Sequence, residues 1–161
     1  VALAVAVPAG AVSVGDPAPD FQLPATRDAR TGAMTVRLSD LRGKLVYLDF
    51  WASWCGPCKQ SFPWMDRLQA RYAGRGLVVL AVDLDTHADD AQAFLDELAP
   101  GFRVAFDAQG ATPRQYAIQG MPTSVLIGPD GKVLLVHGGF RAEEAPAVEA
   151  RIRDALSGAA R

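Results

Sequence analysis

The eight residues Lys44 to Trp51, KLVYLDFW, form a nearly continuous apolar run, which predicts a central strand covered on both faces. Beyond it, Phe62, Met65, Leu68 and Tyr72 recur at helical spacing while Gln60, Asp66, Arg67 and Arg71 take other positions, so a helix is expected there until Gly74 and Gly76 stop it. LVVLAVDLD, from Leu77, reads as a second buried strand. The following ADDAQAFLDEL reads as a helix, with Thr86 and Asp89 as its capping box and Pro100-Gly101 as its end. FRVAFD predicts a third strand, and TPRQYAI a short helix opened by Thr112 and Pro113. TSVLIG and KVLLVHGG flank the turn PDG as a hairpin. RAEEAPAVEARIRDAL is a last amphipathic helix, expected to be interrupted near its start by Pro146. Near the beginning, DFQLPAT and AMTVRLSDL are two short extended pieces around the polar RDARTG, a hairpin or edge-strand pair.

Strands alternating with helices and then a hairpin imply an α/β domain with a mixed sheet and helices on both faces. The chain has 161 residues, half of them hydrophobic. That suffices for one domain burying roughly two thirds of its unfolded surface without a cross-link. We expect that domain to run from residue 15 to 158, behind a tail at 1–14 that is a remnant of a signal peptide or a linker. The tail reads VALAVAVPAGAVSV and contains Ala9-Gly10-Ala11, the A-x-A form of a signal-peptidase site, so an exported protein is expected. A formal charge of −2, with no block of like charges, argues against a nucleic-acid partner.

Both cysteines lie in LDFWASWCGPCKQSFP, two residues apart, where the first strand gives way to the first helix. As a structural staple they would be weak, since a ring this small restrains the unfolded chain by only about 2 kcal/mol. As a zinc clip they would need His87 and His137, which are isolated from each other and lack the paired spacing of such sites. As a reagent they make sense. A thiol at a helix N-terminus sees the positive end of the helix dipole and unpaired N–H groups that stabilise its thiolate, which makes Cys55 the nucleophile. Cys58, one turn inside the helix and expected to be buried, is the resolving thiol.

DFWASWCGPCK resembles the active-site segment of thioredoxins, and YAIQGMPTS resembles the approach to their cis-proline loop, here at Pro122. Pro63, five residues after Cys58, falls where the family's active-site helix is kinked. GDPAPDFQLP, the segment between AVDLD and FDAQG, and GPDGKVLLVHGG resemble more narrowly the TlpA/ResA-like exported thioredoxins. The resemblance implies a thioredoxin fold with an N-terminal β-hairpin extension and a helix-strand insertion in the middle. It also implies thiol-disulfide exchange with protein thiols and disulfides in the periplasm or a comparable exported location, with a membrane tether possible in the precursor. No cofactor and no metal are implied. The electron donor would be a membrane thiol-transfer protein, and the domain is expected to be a monomer. Trp54, Gly56, Pro57, Met121, Pro122 and Thr123 would form the rim that substrates touch, and Asp49, a carboxyl in an apolar strand, would be the proton acceptor for Cys58.

Three positions depart from the family patterns. Ser61 stands where many TlpA/ResA-like members have Glu, Thr123 stands where cytochrome c maturation members have Glu, and Ala81 takes the place of a thioredoxin lysine near the buried aspartate. The Gly56-Pro57 pair is that of thioredoxin and points to a reductant. Two alternatives stay open. A thioredoxin-like copper chaperone would use both cysteines with His137, although its spacing is C-x-x-x-C. A peroxiredoxin would need Pro at Leu48 and Ser or Thr at Ala52.

Overall fold

The computed structural model describes residues 10–159. Most of the expected tail, including Ala9 of the A-x-A motif, lies outside the described residues. In chain order the elements are β1 (Gln22–Pro24), β2 (Thr35–Arg37), a 3₁₀ turn (Leu38–Leu41), β3 (Leu45–Trp51), α1 (Gly56–Tyr72), β4 (Leu77–Asp83), α2 (Ala88–Leu98), β5 (Arg103–Phe106), α3 (Ala111–Gln115), β6 (Thr123–Ile127), β7 (Val133–Gly138) and α4 (Ala145–Ala159).

The central sheet has the order β5-β4-β3-β6-β7. β3, β4 and β5 run parallel, whereas β6 is antiparallel to both β3 and β7. All seven residues of β3 are buried, as its unbroken apolar run requires of a strand in the middle of the sheet. β1 and β2 form the separate antiparallel hairpin. A bridge between Ala25 and Ala105 ties that hairpin to β5.

Side chains alternate across β3, and two apolar clusters result. One joins Leu45, Tyr47 and Trp51 to Phe62, Met65 and Leu68 of α1, Phe94 of α2 and Ile152 of α4. Its centre is aromatic, with Trp51 packed on Phe62 and Phe94 at ring separations of 4.8 and 4.7 Å. The other joins Val46, Leu48 and Phe50 to Phe21, Val36 and Leu38 of the N-terminal segments and to Tyr116, just past α3.

Three helix starts differ from the expected ones. α2 begins at Ala88 with His87 at its cap and no side-chain capping bond, so Thr86 lies one residue too far out to close a box with Asp89. Asp89 and Asp90 instead place negative charge in the first turn, where the helix dipole favours it. α3 is capped from outside by Asp107, whose carboxylate accepts from the backbone N–H groups of Ala111 and Thr112, and Thr112 itself is buried inside the helix. Pro146 is the second residue of α4 and does not interrupt it, because no first-turn N–H has an intrahelical acceptor to lose. α1 ends at Tyr72, and a short turn follows to Gly76, whose φ of +99° suits a residue without a Cβ.

Candidate active site

The site lies at the C-terminal end of β3, where the chain turns into α1. Cys55 N–H donates to Ala52 O at 3.1 Å, making a tight turn that lifts Trp54 out of the surface. Cys55 caps α1 with extended backbone, and its Sγ accepts the Cys58 N–H at 3.3 Å. Gly56 and Pro57 occupy the first two helical positions, where the missing proline N–H forfeits no bond. The two sulfurs are joined in a disulfide across a Cα separation of 5.3 Å. Cys58 has no exposed surface and Cys55 very little, while Trp54 is 72 % exposed. Trp51 and Trp64 are both packing residues, the latter edge-on to Tyr47.

A second segment, the loop before β6, carries the proline singled out in the sequence. The Met121–Pro122 peptide is cis. Pro122 O accepts from Gly139 N–H at 2.7 Å, and Thr123 Oγ1 donates back to Gly120 O at 2.6 Å, so the loop is held on both sides. Met121 packs against the apolar cluster that contains both cysteines.

Asp49 lies in β3 on the face that α1 covers, between Ala81 of β4 and Ser124 of β6 in register. It is 1 % exposed, and Oδ2 has no hydrogen-bond partner among the described residues. Burial pushes its carboxyl up to about 8, and the Ser124 hydroxyl across the register opposes that shift. With Ala81 alongside, β4 offers no cation to pull it down. Tyr47, two residues earlier on the same face, donates its hydroxyl to Ser124 Oγ at 2.7 Å. Ser61, where the resemblance led to the expectation of Glu, is buried and donates to Cys58 O at 3.0 Å, so it ties the helix backbone instead of offering an acid.

Sequence reasoning overlooked a second buried acidic group. Asp85, just beyond β4, accepts from both the N–H and the Oγ of Ser53, at 2.8 and 2.9 Å, and so anchors the turn that carries Trp54. Its neighbour Asp83 is also buried and is pushed up to about 8, first by burial and next by the Asp85 carboxylate beside it. The signal was present as two aspartates in an otherwise apolar strand end, but nothing local pointed to their partner 32 residues away. His137 is engaged elsewhere, its Nε2 facing Glu144 Oε2 at 3.1 Å. No cluster of three His, Cys, Asp or Glu side chains able to hold a metal occurs among the described residues.

A C-x-x-C disulfide at a helix N-terminus, on a five-stranded mixed sheet whose β6 follows a cis-proline, defines a thiol-disulfide oxidoreductase domain of the thioredoxin fold. The sequence profile of the AhpC/TSA family matches residues 14–136, and the chain belongs to that family. It is 43 % identical over 120 residues to thiol-disulfide oxidoreductase ResA of Oceanobacillus iheyensis, an alignment covering 74 % of this chain but only 62 % of that protein. To ResA of Bacillus subtilis it is 35 % identical over 132 residues, 82 % of this chain and 71 % of the relative. A crystal structure from Chlorobium tepidum, assigned as thiol:disulfide interchange protein DsbE, superposes with a TM-score of 0.84 at 53 % identity, covering 91 % of this chain and 99 % of that one. Leu48 and Ala52, both without exposed surface, stand where a peroxiredoxin would carry its Pro and Ser or Thr.

Proposed function

We propose that this domain reduces protein disulfides outside the cytoplasm. In the reduced state Cys55 Sγ attacks one sulfur of the substrate disulfide, forming a mixed disulfide and releasing one substrate thiol. Cys58 then gives its proton to Asp49 and attacks Cys55 Sγ. The second substrate thiol leaves with a proton, and the domain is left with the Cys55–Cys58 disulfide that the structure holds. Two electrons pass from the cysteine pair to the substrate. A membrane thiol-transfer protein, acting on the monomeric domain, restores the dithiol.

The observation that carries this reading is the cap of α1. The Cys58 N–H points at Cys55 Sγ and the helix N-terminus lies behind it, so negative charge on that sulfur is stabilised without a basic side chain. Trp54, Gly56 and Pro57 on one side, with Met121, Pro122 and Thr123 on the other, border the sulfurs as a docking rim. The Gly56-Pro57 pair and the resemblance to exported TlpA/ResA-like proteins support the direction and the location.

Equilibration with glutathione buffers tests the direction. The expected potential lies nearer thioredoxin, about −270 mV, than the oxidant DsbA, about −120 mV, and a value above about −180 mV overturns the assignment as reductant.

A further inference from the structure

Asp49 needs help to be a proton acceptor, because burial alone favours its protonated form. The sheet register supplies that help from β6. Ser124 is the direct cross-strand partner of Asp49, and the two side chains share the face of the sheet that α1 covers. A serine hydroxyl has one proton and two lone pairs. Tyr47 donates its proton to Ser124 Oγ, with both groups buried, which leaves Ser124's own proton free to point at the Asp49 carboxyl. Donated across the register, that proton would complete a directed chain, Tyr47 to Ser124 to Asp49, in which each donation strengthens the next.

We propose that Ser124, oriented by Tyr47, is a positioning residue that tunes Asp49 for taking the Cys58 proton, two neutral hydroxyls serving in place of a cation. The inference rests on the assignment of Asp49 as acceptor. Its neighbourhood makes it specific. The titratable groups around Asp49 are Tyr47 on its own strand, Cys58 on α1, Asp83 two residues beyond Ala81 on the same face of β4 and, one strand beyond Ser124, His137, whose ring is occupied by Glu144. Directly alongside Asp49, β4 contributes the uncharged Ala81. Tyr47 itself stays protonated, since burial and then the Asp49 charge both push its hydroxyl above the ordinary tyrosine range. It therefore acts as a fixed donor.

The test is rapid mixing of the reduced protein with a chromogenic aromatic disulfide across a pH series. Each sulfur attack releases one coloured thiolate, so attack and resolution appear as two phases of one trace. In the parent protein the resolution rate should rise with pH through an inflection set by Asp49. Asp49→Asn should remove that inflection and slow resolution about 10²-fold near neutral pH. Ser124→Ala should keep the inflection but move it upward by about one pH unit, the value of one hydrogen bond to a charged group. Tyr47→Phe should move it the same way by less, and Ser124→Thr, which keeps the hydroxyl, should restore it. If Ser124→Ala leaves the inflection in place while Asp49→Asn removes it, the inference falls and Asp49 keeps its role. If Asp49→Asn leaves the parent profile intact, the assignment of Asp49 falls and takes the inference with it. Should Ser124→Ala lose the attack phase through misfolding, Tyr47→Phe decides alone: an upward shift supports the inference and an unmoved inflection overturns it.

Discussion

The two faces of β3 are built from one apolar run yet do opposite work. Toward the N-terminal segments and α3, Val46, Leu48 and Phe50 meet Leu80, Val82, Val125 and Ile127, and the polar atom this face receives from Tyr116 is satisfied by Pro19 O at 2.8 Å. Toward α1, the alternate positions are Tyr47, Asp49 and Trp51, joined across the sheet by Ser124 and below by Asp83. Both buried side-chain atoms without a partner among the described residues, Asp49 Oδ2 and Trp51 Nε1, lie on this second face. The comparison teaches where the domain keeps its stability and where it gives stability up. An unpaired buried polar group destabilises the fold, and such groups are tolerated where chemistry needs a group whose protonation is poised. The opposite face, free of them, offsets that penalty with close apolar packing.

The comparison breaks most completely at the sulfurs. Cys58→Ser should accumulate mixed disulfides through Cys55, since the attack step remains and the resolving step is gone, and Cys55→Ser should abolish turnover and trap almost nothing. Mass spectrometry of trapped adducts reads the difference, and equal trapping by both variants would reverse or erase the assigned roles.

Next in size is the apolar face. Phe50→Ala removes a ring with no exposed surface that packs on Tyr116 at 5.3 Å, and should cost about 3–5 kcal/mol in denaturant unfolding. The variant's resolution step should keep the parent pH profile. A shifted inflection in a folded Phe50→Ala protein would show that the two faces are not separable.

The smallest effect is the pH dependence of stability. Asp49 and Asp83 are raised from the ordinary aspartate value of 3.8 to about 8, so between those limits the folded protein holds protons that the unfolded chain has released. Stability from these groups should therefore fall as pH rises from about 4 to about 8 and level off above in the oxidised protein. Asp49→Asn should shrink the fall, while Leu48→Ala should lower stability equally at pH 5 and pH 8. Denaturant midpoints at the two pH values check both, and a parent protein equally stable at pH 5 and pH 8 would mean the reactive face carries no such burden.

Much of this was legible in the chain itself. The continuous run at Lys44–Trp51, the helical spacing from Phe62 to Tyr72 and the hairpin around PDG determined element types and their order, because side-chain periodicity is a local property. The cysteines declared their chemistry through spacing and position at a helix start. Asp49 stood out as a carboxyl in an apolar strand. Cap positions were less secure: Thr86 and Thr112 each fell one or two residues from where geometry uses them, and Pro146 lies in the first turn of its helix instead of interrupting it, since a helix start depends on which N–H groups find acceptors, and Asp107 supplied one from outside α3. What only the tertiary structure decided are the pairings across long sequence separations. Ser124 meets Tyr47 over 77 residues and Asp85 meets Ser53 over 32, contacts that exist because the register of β6 on β3 and the parallel crossover to β4 bring them together. A lone serine in TSVLIG or an aspartate in AVDLD carries no mark of its partner. Strand register is set by the burial of whole faces, and the polar groups on those faces acquire their neighbours as its consequence.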